Sequence, residues 1–387
     1  MMLSMAAFFL CNHAAHYLLL FVLNSLMSSY TDRKQVKKKT LMIVLAIILA
    51  LALIGAAAYL LDRRGEEGQF GDTGLWDEDE EEEIYLTIND VDYVSTDDID
   101  AYVIAGTDGG GVDKGENFNG DLADFVTLLV IDNTTEKFAF YPISRNTMVY
   151  VPVMNEDGDI QDFAYEQLCT AHWYGHDENE RNYNLAEATS EAVGGLEIDG
   201  YYVLNMKDVG TVNDTIGGVT VEIDQDMTDL DPAFTEGASV RLTGKQTENY
   251  LRARMGVGDG SNAGRMQRQQ QYMMNAYDLI IGQLRENPDY VNDLYDQLTD
   301  IVESDGSPKR VSQIANRIMK YDNKGFINFT GETKINDTIG EGIEHEEFYP
   351  DPDSLLTGLR KVINISEYTG DDDEDEDIVK EDETGEE

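Results

Sequence analysis

Cysteine is nearly absent from this chain: 387 residues contain only Cys11 and Cys169. Only Cys169 lies beyond the long apolar run at 41–61, and one thiol closes no intramolecular bridge, so a disulfide-stapled scaffold is excluded. Cys169 is expected as a small buried hydrophobe. Zinc ligands are missing too, because there is no cysteine pair and no HExxH, and His172 with His176 reads as a structural i, i+4 pair without a third ligand. Basic residues are scarce: 28 Lys and Arg stand against 76 Asp and Glu, a formal net charge of -48. That balance excludes a nucleic-acid binder driven by phosphate neutralisation. No Gly-Lys-Ser/Thr follows the glycine run Gly109–Gly111, which removes the phosphate-binding loop of nucleotide sites. The acidic stretch 155–159 lacks the Glu at position twelve of a calcium loop and reads as a turn.

Against this acidity, Arg252, Arg254, Arg265 and Arg268 fall within seventeen residues. Arginine's planar, permanently charged fork makes bidentate hydrogen bonds to phosphate or carboxylate oxygens, so the cluster points to a bound anion. Arg265, Arg268 and Gln269 share one face of a helix at i, i+3 and i+4, with Asn262 and Gly264 expected as its entry turn. The backbone N–H groups at such a helix start add to the arginine charge. A merely solvated helix would carry carboxylates at those offsets, and there are none from Arg265 to Tyr277.

Composition divides the chain. Residues 41–61 (LMIVLAIILALALIGAAAYLL) carry no charge, and about 20 apolar residues cross a bilayer as a helix. Arg33–Lys39 (RKQVKKK) precedes this run, so residues 1–40 are expected in the cytoplasm and the remainder outside the cell. The long apolar stretch favours an uncleaved single-pass anchor over a cleaved signal peptide. Residues 1–26 read either as an additional apolar segment or as an upstream extension of a chain starting at Met27. Residues 62–98 are expected as an acidic linker, 99–366 as the folded domain, and 367–387 as an acidic disordered tail.

Within the domain, strands are expected at Tyr102–Ala105, Phe125–Asp132, Lys137–Pro142, Tyr201–Asn205 and Val219–Ile223. Helices are expected at Asn184–Val193, Asp208–Ile216, from a Thr243 cap through Arg254, and at Met266–Leu284. Pro288–Met319 reads as helical with a break at Ser307-Pro308, and 347–362 as a turn followed by a short amphipathic helix. The alternation implies an α/β fold with a mixed central β-sheet flanked by helices. Polar residues at strand ends, where such sheets build sites, single out Asp108, Asp124 and the Ser144–Thr147 loop.

These segments in order, GTD at Gly106–Asp108, ADFVTLLVID at Ala123–Asp132, PISRNTMVYVP at Pro142–Pro152 and QLCTAHWYG at Gln167–Gly175, resemble the LytR-CpsA-Psr family of cell-wall assembly phosphotransferases. The likeness continues through YYVLNMKDVGTVNDTIGGVTVEI, LTGKQTENYLRARM, GRMQRQQQ and EFYPDPDSLLTGL, covering roughly Ile99 to Ile365. One span and an external domain are also that family's layout. The resemblance implies transfer of a phospho-linked glycan from a polyprenyl-pyrophosphate carrier to peptidoglycan at the outer face of the membrane. It implies Mg²⁺ held by Asp108 and Asp124, with Asp108 as ligand or general base. Arg145 matches the signature arginine, and Arg252, Arg254, Arg265 and Gln269 match pyrophosphate-contacting positions, with Arg268 in support. An apolar tunnel for the isoprenoid is expected between helices such as Met266–Leu284 and Asp208–Ile216.

Three departures accompany the resemblance. Leu122 stands where the family usually has an arginine, Asn146 where its signature has an aspartate, and Gly109-Gly110 where many members carry polar or basic residues. They keep open a non-catalytic, regulatory binder of polyprenyl pyrophosphate. If Arg145, Arg252 and Arg265 converge on one pyrophosphate they repel one another in the empty site, so alanine at Arg252 or Arg265 is expected to be tolerated by the fold, whereas as buried partners of carboxylates each deletion would strand a charge.

Overall fold

The computed structural model describes residues 85–109, 112–113, 119–155, 158–254, 257, 260–338, 342 and 344–369. The expected cytoplasmic segment, the apolar run 41–61, most of the acidic linker and the tail from 370 onward lie outside them. Among the described residues no helix is long and apolar enough to cross a membrane.

Six strands form the central sheet: β1 (Ile99–Thr107), β2 (Ala123–Asp132), β3 (Lys137–Ile143), β4 (Gly200–Asn205), β5 (Val302–Ser304) and β6 (Asp322–Phe326). Their order is β5-β4-β1-β2-β3-β6. β4 runs parallel to β1 and β6 parallel to β3, while the other neighbours are antiparallel, so the sheet is mixed as expected. The β2–β3 turn forms because Asp132 Oδ1 accepts from the backbone N–H of Thr134 and Thr135 at 2.8 and 2.9 Å. Among the described residues seven α-helices accompany the sheet: α1 (Glu178–Ala192), α2 (Val209–Thr215), α3 (Gly244–Arg252), α4 (Asn262–Glu286), α5 (Tyr290–Leu298), α6 (Pro308–Ile318) and α7 (Pro352–Leu359).

Strand alternation sends side chains to opposite faces. Ala101, Val103, Val126, Leu128 and Val130 pack with Leu185 and Ala188 of α1 and with Leu355 and Leu359 of α7. Tyr102, Leu129, Ile131, Phe138 and Phe140 meet Met273 and Tyr277 of α4 and Ile314 of α6. Both faces are thus covered, which is why β2 reads as a nearly continuous apolar run rather than an alternating one. A satellite core built on Phe234, Leu242, Tyr250 and Tyr272 fixes α3 against α4. α2 and α3 approach so closely that a Cβ on Gly210 would sit 2.6 Å from the Gly244 carbonyl oxygen.

Several boundaries differ from the sequence expectation for local reasons. α4 begins at Asn262, so Asn262 and Gly264 lie inside the helix, and Ser261 caps it by accepting from Gly264 N–H at 3.1 Å. α1 begins at Glu178, earlier than expected, because Asp177 caps it. α3 has the expected Thr243 cap, reinforced as a capping box by Gln246, but ends at Arg252. The region expected to be helical over Pro288–Met319 contains a strand: β5 pairs with β4 before Ser307 caps α6 with Pro308 at its start. A hairpin of Met148–Met154 with Ile160–Gln167 and another of Gly331–Asn336 with His345–Pro350 had no expected counterpart. Short strands at Leu86–Ile88 and Val91–Val94 stand within the stretch expected as linker, with Leu86, Ile88 and Tyr93 buried in the core.

Candidate active site

The site forms where the C-terminal end of β1, the start of β2, the loop after β3 and the N-terminus of α4 meet. The β1–β2 register shifts between Gly106 and Thr107, so that Thr107 faces Ala123. Such a bulge re-aims the side chains beyond it. Asp108 follows directly. Its N–H donates to the Leu122 carbonyl at 2.9 Å and its Oδ1 accepts from Leu122 N–H at 3.0 Å. Position 122 therefore holds Asp108 through its backbone.

Asp124 is the hub. Its Oδ1 accepts from Arg145 Nη1, and its Oδ2 lies 3.3 Å from Arg265 Nη1. Arg145 Nη2 donates to Cys169 Sγ at 2.9 Å, so Cys169 is not only the small hydrophobe expected but also a partner of Arg145. Arg265 is 3% exposed, and its Nη2 donates to Asn262 Oδ1 at 2.7 Å. The Nε of Arg145 and of Arg265 is buried with no hydrogen-bond partner among the described residues. Burial opposes the charge on Arg145, but Cys169, Asp124 and Asp108 outweigh it, and the guanidinium holds its proton more tightly than usual. On Arg265 burial prevails and pushes the affinity down. Burial likewise pushes the Cys169 thiol up. Both arginines stay charged, as guanidinium does throughout the accessible range.

Arg254 stands beside this group, donating from Nη2 to Glu346 Oε2 at 2.8 Å and from Nε to the Gly260 carbonyl at 3.1 Å. Glu346 escaped the sequence reading. It sits on the unexpected His345–Pro350 strand, which is tied to the Arg145 loop by Phe348 N–H donating to the Asn146 carbonyl at 2.8 Å and by Gln167 Nε2 donating to the Glu346 carbonyl at 2.8 Å. No local motif marks it in the sequence, because only that strand pairing brings it to the arginines.

The remaining candidates divide. Arg252 is more than a third exposed and is paired with Glu248 across one helical turn at 3.4 Å. Arg268 has its hydrogen bonds to main-chain carbonyls, those of Tyr250 at 3.1 Å, Gly264 at 3.3 Å, and Ala253. It ties the end of α3 to α4. Gln269 Nε2 reaches the Leu251 carbonyl at 3.4 Å, and Gln269 also borders the small cleft beside Asp124 and Arg145. The expectation that Arg145, Arg252 and Arg265 repel one another is corrected, since Arg145 and Arg265 share Asp124 and Arg252 faces Glu248. Asn146 is buried, accepting from Gln167 Nε2 at 3.3 Å, with its own Nδ2 unpartnered among the described residues.

The described residues contain no group of three or more His, Cys, Asp or Glu side chains placed to hold a metal. Asp108 and Asp124 supply hard oxygen donors at adjacent strand ends. That set fits Mg²⁺, which is commonly held by one or two carboxylates and completed by substrate phosphate oxygens.

Along α4, Arg265 and Gln269 are followed on the same face by Met273, Ala276, Ile280 and Leu284. These four line an apolar cavity of about 530 Å³ against Tyr102 and Leu129 of the sheet. α5 and α6 close it. α2, expected as a wall, instead packs in the satellite core.

A family model described as the LytR_cpsA_psr family matches residues 77–344. By structure the chain is similar to TagV of B. subtilis, with a TM-score of 0.51 and 16% identity over 68% of this chain and 95% of that one. It is similar to gbs0355 of Streptococcus agalactiae, with a TM-score of 0.53 and 16% identity over 68% and 86%. TagT bound to LI-WTA matches with a TM-score of 0.50 and 16% identity over 68% and 89%. No curated protein sequence matches.

Proposed function

The chain belongs to the LytR_cpsA_psr family, and from that premise we propose that it transfers a phospho-linked cell-wall glycopolymer from a polyprenyl-pyrophosphate carrier to peptidoglycan. One observation carries the reading: a single helix face joins a buried guanidinium site to an apolar cavity. Arg265 opens that face and Leu284 closes it, roughly 28 Å apart at about 1.5 Å per residue. An amphiphile with an anionic head and a long apolar tail matches this arrangement, the pyrophosphate lying at Arg145, Arg254 and Arg265 and the isoprenoid entering between α4, α5 and α6.

Phosphoryl transfer asks for positioning and charge neutralisation more than for covalent help. The acceptor hydroxyl attacks the glycan-linked phosphorus, and its proton passes to Asp108. The bond from that phosphorus to the bridging oxygen breaks, and polyprenyl phosphate leaves with the electron pair. Arg145, Arg254 and Arg265 are already in place for the developing charge, and removing one such preorganised donor typically costs about 10²–10³ in rate. Arg252, on the exposed end of α3, and Gln269, at the cleft, complete the pyrophosphate contacts, while Arg268 supports them. Mg²⁺, held by Asp108 and Asp124, would neutralise phosphate oxygens and polarise the phosphorus. The run 41–61 would anchor the chain once through the membrane with its main domain outside the cell.

A second reading, a regulatory binder of the same carrier, is favoured by Asp124 being held on both oxygens by guanidinium groups and by Leu122 supplying no cation. One assay separates the two. Full-length protein in detergent is incubated with a polyprenyl-pyrophosphate-linked glycan, peptidoglycan and Mg²⁺, beside an active family member. Glycan attached to peptidoglycan is the expected result. Tight carrier binding without transfer, while the control transfers, would leave only the regulatory reading, and absence of carrier binding would sink both.

A further inference from the structure

We propose that a polar cleft at the opposite end of the sheet from the arginine cluster binds a short peptide carrying both an amine and a carboxylate. Peptides of that kind are borne by peptidoglycan, so the assignment rests on the function proposed above. β1 (Ile99–Thr107) links the two places, its ends lying about 26 Å apart at about 3.3 Å per residue. The cleft encloses about 820 Å³, within the roughly 300–1,000 Å³ of small-molecule sites. Its charges are sorted by wall. Asp98, Asp100 and Asp199 stand where β1 and β4 begin, and Arg310, Arg317 and Lys320 stand on α6 and just after it. α6 also divides the cleft from the apolar cavity, with Val311, Ile314 and Ile318 lining the cavity and Arg310, Gln313 and Arg317 lining the cleft. The carboxylate wall suits an ammonium group, and the cationic wall suits a carboxylate. Asn133 and Gln313, also in the lining, offer amides that both donate to and accept from a peptide group. A lone phosphate would meet three carboxylates here, and a metal ion three basic side chains.

The two walls do not fully satisfy each other. Arg317 donates from Nη1 to Asp100 Oδ2 and to Asn133 Oδ1, the latter at 2.9 Å. Its Nε is buried with no hydrogen-bond partner among the described residues. Arg310 donates from Nη1 to the Asp199 carbonyl at 2.9 Å and pairs at 3.5 Å with Asp305, a residue outside the cleft. The Asp199 carboxylate accepts from Ala101 N–H at 2.7 Å, and burial still pushes its proton affinity up. Charged groups left so incompletely matched cost free energy that a ligand's own ammonium and carboxylate would restore.

A zwitterionic phospholipid headgroup offers the same pair of charges. Surface attachment to a bilayer also needs apolar side chains that enter it beside the headgroup. None of the large exposed hydrophobic residues among the described residues lines the cleft. The amides in its wall, by contrast, match a peptide backbone, so a peptide is the ligand favoured.

The test uses full-length protein in detergent, with Asp98→Asn and Lys320→Gln beside the parent; both positions are exposed, so both variants should melt like the parent. The probe is acetyl-alanyl-alanyl-lysine, whose one amine is the lysine side chain and whose one carboxylate is the C-terminus. Two blocked forms accompany it, one with that amine acetylated and one with that carboxylate amidated. The parent should bind the zwitterion about tenfold more tightly than either blocked form. Asp98→Asn should weaken the zwitterion about threefold and leave the amine-blocked form unchanged, and Lys320→Gln should do the same with the amidated form, because each variant removes only the charge that the missing group would meet. In transfer, Lys320→Gln should raise KM for intact peptidoglycan while kcat, and KM for glycan stripped of its peptides, stay as in the parent. Equal affinity of the parent for all three peptides would overturn the site, while intact carrier binding and transfer left the proposed function standing. Variants that weaken binding of dihexanoyl phosphatidylethanolamine but not of the peptide would overturn it in favour of a lipid headgroup. Peptide binding by a parent that transfers no glycan would instead remove the proposed function and leave the ligand class of the cleft in place.

Discussion

Arg265 of α4 lies 3.3 Å from Asp124 of β2, and the same carboxylate accepts from Arg145 on the loop after β3. One partly buried carboxylate thus balances two guanidinium groups. This sharing holds the site together, and an anion entering it competes with Asp124.

Asp124→Asn should therefore strip both arginines of their shared counter-charge. Breaking a buried charge cluster from one side costs roughly 3–5 kcal/mol. Added pyrophosphate should raise the melting temperature of this variant more than that of the parent, since the anion replaces the lost charge. Thermal melts with and without pyrophosphate measure it, and equal increments would mean that Asp124 does not compete with the ligand.

Arg268 and Arg252 should behave oppositely although both belong to one sequence cluster. Arg268→Ala removes hydrogen bonds to the Tyr250, Ala253 and Gly264 carbonyls, a loss of about 2–3 kcal/mol for charged donors to buried acceptors. Arg252→Ala leaves stability within about 0.5 kcal/mol, as for an exposed helix pair. Urea unfolding ranks the two, and the order would reverse if Arg252 were the structural member.

Ala276 lines the apolar cavity. Ala276→Phe should fill part of it, abolish binding of long polyprenyl pyrophosphate, and leave inorganic pyrophosphate affinity within twofold. Calorimetry on both probes checks this. Undiminished long-chain binding would place the lipid elsewhere.

Glu178 carries the clearest acid-side dependence. Its bond to His172, reinforced by Arg181, holds the carboxyl down at about 2 against a usual 4.5. A depressed carboxylate contributes stability that is present above about pH 4.5 and is lost as pH falls through about 2. Because the side chain is 43% exposed, solvent screening keeps the contribution small. Glu178→Gln should flatten the fall in stability between those pH values. Acid titration of the melting temperature of both proteins tests it, and parallel curves would remove the assignment.

Much of the fold is legible in the sequence. β2 announced itself by an apolar run that only a strand covered on both faces requires, α3 by its Thr243 cap, and α6 by Ser307-Pro308. The arginine spacing likewise located Arg265 at the start of a helix. These signals are local, because periodicity and capping depend on residues a few positions apart.

What the sequence could not decide was which charge meets which. Asp108, Asp124 and Arg145 are distant in the chain from Arg265, and only the packing of α4 over the sheet brings Arg265 to Asp124. Arg268, three residues on, turns to the carbonyls at the end of α3 instead. Glu346 joins Arg254 only because its strand is stitched to the loop carrying Arg145. Residue type and spacing determined which groups were available for chemistry. Long-range packing in a medium where an unpaired buried charge is costly decided their partners.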